Sequence, residues 1–121
     1  MQSKQKKILV VDDEPDILEF VQVILEDEGY TVAIADKGES LEKLQDDGLP
    51  DLILLDVLLS GKDGRKIVQF LKSQKETKHI PIIMFSAYPS AEETAQQAGA
   101  EDFIAKPFSI DVLLSKVAHH L

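Results

Sequence analysis

Five short apolar runs punctuate the chain: KILVV ending at Val11, YTVAIA at Ala35, DLILLD at Asp56, IPIIMFS at Ser86 and DFIAK at Lys106. Each is continuous rather than alternating, the pattern of strands covered on both faces in a parallel sheet. Between them the apolar positions follow a helical period. Ile17, Val21, Ile24 and Leu25 form one stripe, opened by Pro15 and closed by Gly29. Leu41 and Leu44 mark a second, shorter helix. Ile67, Val68 and Leu71 mark a third, after a turn at Asp63 and Gly64. SAEE at residues 90–93 is a capping box for a fourth, which Gly99 ends. That helix offers only Ala91, Ala95 and Ala98 as an apolar face, so it should be loosely held. A fifth starts at Ser109 as N-cap and turns Leu113, Leu114 and Val117 inward.

Strand and helix therefore alternate five times. The expected architecture is an α/β (βα)5 domain, a doubly wound parallel five-stranded sheet whose right-handed crossovers place helices on both faces. Residues 1–6 read as a solvated tail and 7–121 as one domain, without linker, repeat or low-complexity tract. In such sheets ligands bind outside the carboxyl ends of the strands, near a switch point in strand order.

Composition narrows the function classes. A chain of 121 residues can bury a sizeable core, and 44% apolar content argues against disorder. A formal net charge of −9 excludes the basic surface that nucleic acid or an anionic membrane requires. There is no cysteine, hence neither a disulfide nor a thiolate metal site. No apolar run approaches the roughly 20 residues of a membrane span, and the start MQSKQKK lacks the apolar stretch of a signal peptide. A cytoplasmic protein is expected, with neither nucleic acid nor membrane as partner.

Parallel strands share one carboxyl-terminal edge. Onto it the first strand delivers Asp12 and Asp13, the third Asp56, the fourth Ser86 and the fifth Lys106. Two carboxylates about 5 Å apart repel by on the order of 3 kcal/mol at an effective dielectric of about 20. Three such groups need a cation, or one must stay protonated. Hard oxygen ligands without His or Cys suit Mg²⁺, which often bridges a carboxylate to a phosphoryl group. Lys106 can neutralise phosphoryl charge and Ser86 can donate to it. The set can move a phosphoryl group onto a carboxylate, and Asp56, alone on a central strand, is the favoured nucleophile. Singly, each residue has a plainer reading. Asp12 and Asp13 could cap the first helix, Ser86 could be a turn hydroxyl and Lys106 a solvated lysine. Asp36 and Asp51 are read as turn or cap residues, and His119 and His120 as surface residues near a helix end.

The motifs VVDDE, DLILLDV followed by DG, FSA, and GAEDFIAKPF, in this order and at these separations, resemble the receiver domain of two-component response regulators. The resemblance runs from Lys7 to Leu121 and is to stand-alone, chemotaxis-type receivers, or equally to the receiver portion of a longer regulator. It implies a flavodoxin-like strand order 2-1-3-4-5 and a cytoplasmic signalling switch. Asp56 would take a phosphoryl group from a histidine kinase, a histidine phosphotransfer protein or a small phosphodonor. Mg²⁺, or Mn²⁺ in its place, would be held by Asp13, by Asp12 mainly through water, by Asp56 and by the backbone carbonyl of Leu58. Lys106 would pair with the phosphoryl oxygens, its bond to Pro107 being cis. Ser86 would move toward the phosphoryl group and Phe103 would rotate inward behind it. The surface of the fourth helix, fifth strand and fifth helix would then control an output protein. Such a chain is not an enzyme in the turnover sense; it accepts a phosphoryl group and hydrolyses it slowly.

Ser60 stands where the family commonly has proline, with Gly61 beside it, so the loop after Asp56 should be more flexible. Leu58 and Tyr88 occupy the two positions that tune water attack on the phosphoaspartate. An apolar Leu58 and a bulky Tyr88 partly covering the site imply slow dephosphorylation. Three alternatives remain in view. A haloacid-dehalogenase-type phosphatase would want Asp-x-Asp after its first strand. A flavodoxin-like nucleotide or flavin binder would want a first loop rich in Gly, Ser or Thr rather than three acids. A receiver-shaped interaction module without phosphorylation would not need the intact site residues.

Overall fold

The computed structural model describes residues 6–35, 48–59, 62–88 and 91–121, with the backbone alone at 58, 59 and 62. The five apolar runs form strands β1 (Lys7–Val11), β2 (Thr31–Ala35), β3 (Leu52–Asp56), β4 (Ile82–Ser86) and β5 (Asp102–Ala105). They pair in parallel in the order β2-β1-β3-β4-β5. Between and after them run α1 (Pro15–Asp27), α2 (Gly64–Ser73), α3 (Ala91–Ala98) and α4 (Ile110–His119). These are the first, third, fourth and fifth expected helices. The second, on Leu41 and Leu44, lies outside the described residues, as do Asp36, Ser60, Gly61 and Ser90. Among the described residues no helix is long and apolar enough to cross a membrane.

Every residue of β3 and β4 is buried, as a continuous apolar run requires. The two-residue period of the strands divides the core into two layers. Leu9, Ile53, Leu55, Met84 and Phe103 pack with Val68 and Leu71 of α2 and with Ala95 and Ala98 of α3. Ile8, Val10, Leu54, Phe85 and Ile104 pack with Val21 and Leu25 of α1 and with Leu113 and Val117 of α4. The buried stripe of α1 is Leu18, Val21 and Leu25, with Ile17 and Ile24 half-buried beside it. Val21 and Leu25 are buried as expected, Leu18 joins them, and Ile17 and Ile24 pack at the margin of the same layer. As expected, α3 buries only Ala95 and Ala98. Gly29 and Gly99 leave α1 and α3 in the left-handed region, at φ +97° and +110°, where glycine carries no steric penalty. Ser109 Oγ accepts the Val112 N–H at 3.1 Å and caps α4.

Two polar ties fasten the helices. Lys72 Nζ, on α2, donates to the Ile80 carbonyl and to the Glu101 carboxylate, both at 2.8 Å. The other Glu101 oxygen accepts the Ile82 N–H at 2.7 Å, so the chain just past α3 is fixed to the start of β4. At the start of β5, Asp102 receives Lys116 Nζ at 2.8 Å and lies 2.9 Å from His120 Nε2. The sequence reading of His120 as a surface residue is therefore corrected. Its ring is half-buried against Asp102, a partner 18 positions away that leaves no local signal, while His119 is exposed.

Partial burial pushes the Asp102 carboxyl up, but hydrogen bonds from Lys116, His120 and the Phe103 N–H, with the Lys116 charge, outweigh it and hold the pKa at about 2. A carboxyl depressed on folding stabilises above its unfolded pKa, and that stability is lost as pH falls through the folded value. The full shift is worth about 2 kcal/mol, and solvent screening of this partly exposed group leaves about 1. Asp102→Asn is accordingly expected to lower urea stability by about 1 kcal/mol at pH 7. The gap to wild type should close as pH falls from 4 toward 2; a gap independent of pH would contradict the assignment.

Candidate functional site

The parallel ladder carries one step past the strand ends. The Asp12 N–H donates to the Ala35 carbonyl at 3.1 Å, Val57 N–H to Phe85 at 3.0 Å and Lys106 N–H to Ser86 at 2.8 Å. Strand period then sets which side chains meet. Asp12 follows Ile8 and Val10, Asp56 follows Leu52 and Leu54, and Lys106 follows Ile104, all on the α1/α4 face. Lys106 Nζ lies 2.9 Å from Asp12 Oδ2, 3.4 Å from Asp56 Oδ2 and 3.5 Å from Glu14 Oε1. Asp12 is fully buried and Asp56 is 6% exposed. The Lys106–Pro107 peptide bond is cis.

Both oxygens of Asp12 are engaged, because Oδ1 accepts the Glu14 N–H at 2.8 Å. An acid at this position therefore turns back into the site, and α1 starts without a side-chain cap on Glu14. Burial works against the charge of Lys106, but the Asp12 hydrogen bond and the charges of Asp56, Asp12 and Glu14 outweigh it and raise the ammonium pKa above its ordinary value. Lys106 stays charged. Asp12, Asp13, Glu14 and Asp56 can each offer an oxygen, all within 4.8 Å of one another. Pairs at that spacing repel by about 3 kcal/mol at an effective dielectric of about 20. Among the described residues, an all-oxygen donor set of this kind fits a hard divalent cation.

Ser86 and Phe103 lie on the other face, by the same period. Ser86 is buried, and its Oγ accepts the Tyr88 N–H at 3.0 Å, leaving its O–H to donate. The Phe103 ring is buried, packed in the layer with α2 and α3. Tyr88 is 59% exposed and offers little of the cover expected of it. Leu58 pairs through its backbone. Leu58–Leu59 and Lys62–Asp63 form a two-residue antiparallel pair that the sequence reading took for loop. Asp51, read as structural, accepts the Lys7 N–H at 2.8 Å.

Two residues escaped the sequence reading. Glu14 joins the acid cluster and reaches Lys106; the third acid in the run before Pro15 was its signal. Gly64 opens α2 directly against the backbone of the Asp56 loop, its N–H donating to the Val57 carbonyl at 2.7 Å. A Cβ there would collide with the carbonyl oxygen of Asp56 and come within 2.8 Å of that of Val57. The Asp-Gly pair had registered only as a turn.

The response regulator receiver domain profile matches residues 8–118. The phosphate regulon transcriptional regulatory protein PhoB of Escherichia coli (strain K12) is 36% identical over 114 residues, covering 93% of this chain and 50% of that protein. The chain thus spans about half the length of the curated relatives it matches. Chemotaxis protein CheY4 of Vibrio cholerae superposes with a TM-score of 0.88 at 30% identity, covering 98% of this chain and 100% of that one. Response regulator TrrA of Thermotoga maritima, solved in complex with Mg²⁺ and BeF, has a TM-score of 0.86 at 35% identity, with 97% and 100% coverage.

Because the atoms facing Gly64 are backbone oxygens, they have no side-chain freedom to yield. Gly64→Ala should lower stability by about 1–3 kcal/mol in urea unfolding and shift the backbone amide resonances of Val57 and its neighbours. Unchanged stability and spectra would show that the loop does not rest on α2.

Proposed function

The chain belongs to the response regulator receiver domain family, and from that premise we propose that it is a switch in which Asp56 accepts a phosphoryl group. Receivers of this family act in phosphorylation-dependent signalling with histidine kinases and output proteins. The observation that carries the reading is the Lys106 ammonium gathered with buried Asp12 and Asp56 at one sheet edge. An Asp56 oxygen attacks phosphorus, forming an O–P bond. The P–N bond of a phosphohistidine, or the P–O bond of acetyl phosphate, breaks and its electron pair leaves with the imidazole or acetate. Lys106 turns from Asp12 and Asp56 toward the phosphoryl oxygens, where its fixed charge stabilises the transfer. The Ser86 hydroxyl donates to the same oxygens.

Asp12, Asp13, Asp56 and the Leu58 carbonyl would hold Mg²⁺, or Mn²⁺ as a substitute, and the Mg²⁺ complex of TrrA supports this. When bound, the ion supplies positive charge that offsets the carboxylates and the phosphoryl group. The protein is itself the acceptor rather than an enzyme turning over a separate substrate. A phosphoryl group adds about two negative charges. Drawing Ser86 toward it moves the loop that leads into α3, and Phe103, packed in the same layer as the α3 alanines, follows. The α3/β5/α4 surface then reports the change to an output protein. The strongly acidic chain favours contacts with proteins over nucleic acid or membrane.

Incubation with Mg²⁺ and acetyl phosphate should add one phosphoryl group by intact mass. The adduct should be absent from Asp56→Asn and from a chelated control. If the wild type binds Mg²⁺ but gains no adduct, the chain is a binding module instead. With an apolar residue at Leu58, nothing there would orient an attacking water. The phosphorylated form should therefore decay over minutes or longer at neutral pH with Mg²⁺; decay within seconds would contradict this.

A further inference from the structure

We propose, on the receiver reading above, that Phe85 is a positioning residue for Lys106, its ring face holding the ammonium at the mouth of the site. Lys106 Nζ stands over the Phe85 ring, 4.8 Å from its centroid, inside the roughly 6 Å reach of a cation–π contact. The ring is 2% exposed and the lysine side chain 11%, so both partners are largely out of water, where the attraction is strongest. The fold aims them at each other. Phe85 is the register partner of Asp56 on β3, and of Ile104 on β5, two residues before Lys106. The ring is oriented in turn. Phe108 meets it edge-on, with centroids 6.2 Å apart and planes at 88°, and Phe20 of α1 backs Phe108 at 6.2 Å.

A ring face does something here that a carboxylate does not. The bonds to Asp12 and Asp56 are directional and tie the ammonium to particular oxygens. The attraction of a ring face is broad, so Nζ can swing from Asp12 and Asp56 to an incoming anion while remaining supported. Burial alone does not call for an aromatic residue. Ile83 and Met84 beside it fill the same sheet with aliphatic side chains. Phe85 thus pre-places the charge that the phosphoryl group needs, and the effect should appear in rate rather than in fold.

Isosteric fluorination of Phe85 tests this, because it drains the ring face of negative charge without changing the core. The protein would be made with 4-fluoro, 3,5-difluoro and 3,4,5-trifluorophenylalanine at this position, and as Phe85→Leu. Two quantities would be read. The first is the ε-methylene proton shift of Lys106 in the metal-free, unphosphorylated protein, assigned by its loss in Lys106→Met. The second is the initial rate of labelling by acetyl phosphate. An upfield Lys106 shift that relaxes stepwise with fluorination, with a labelling rate falling about three- to ten-fold across the series and in Phe85→Leu, is expected. An ordinary Lys106 shift in the wild type, or a shift and rate indifferent to fluorination, would overturn the proposal and leave Phe85 a core residue. Failure of the wild type to label would count against the receiver reading, while the proton shift would still decide the role of Phe85.

Discussion

Two carboxylates held out of water side by side are the constraint around which this molecule is arranged. Asp12 and Asp56 end neighbouring strands whose interiors are wholly apolar, and neither has solvent to screen it. Lys106 answers them from 94 and 50 positions away. The ion pairs therefore do long-range work, joining the carboxyl ends of β1, β3 and β5. Removing one partner of such a buried set costs several kcal/mol, because the remaining charge stays desolvated. Among the described residues Asp12, Asp13, Glu14 and Asp56 share that edge, an all-oxygen set that suits a hard cation.

Strand period divides the residues of the sheet edge between two faces. Asp12, Asp56, Phe85 and Lys106 belong to the face covered by α1 and α4, whereas Ser86 and Phe103 belong to the face covered by α2 and α3. Adjacent residues of β4, Phe85 and Ser86, thus look in opposite directions. The two sets share a sheet edge but not a core layer.

Much of this was legible in the amino-acid pattern. Continuous apolar runs mark doubly covered strands, and a parallel sheet forces their carboxyl ends together, so Asp12, Asp13, Asp56, Ser86 and Lys106 could be gathered on one edge before any coordinates. Contacts that cross layers left no such trace. Nothing periodic announces that His120 turns onto Asp102. Gly64 reads as an ordinary turn glycine until its distance to the Asp56 backbone is known. The period places Val21 and Leu25 of α1 inside, and only the packed sheet shows that Leu18 is buried more deeply than Ile17.

The tie at Glu101 has a mechanical consequence for α3. Its carboxyl end runs into a residue bonded to Lys72 and to the Ile82 N–H, while along its length it rests on two buried alanines. Such a helix is hung like a door, hinged at one end and held elsewhere by small, smooth contacts. Sliding as a block would break the hinge; swinging need only slip alanine methyls across the sheet. Displacement should then grow along the helix from almost nothing at Ala98 to its largest at Ala91.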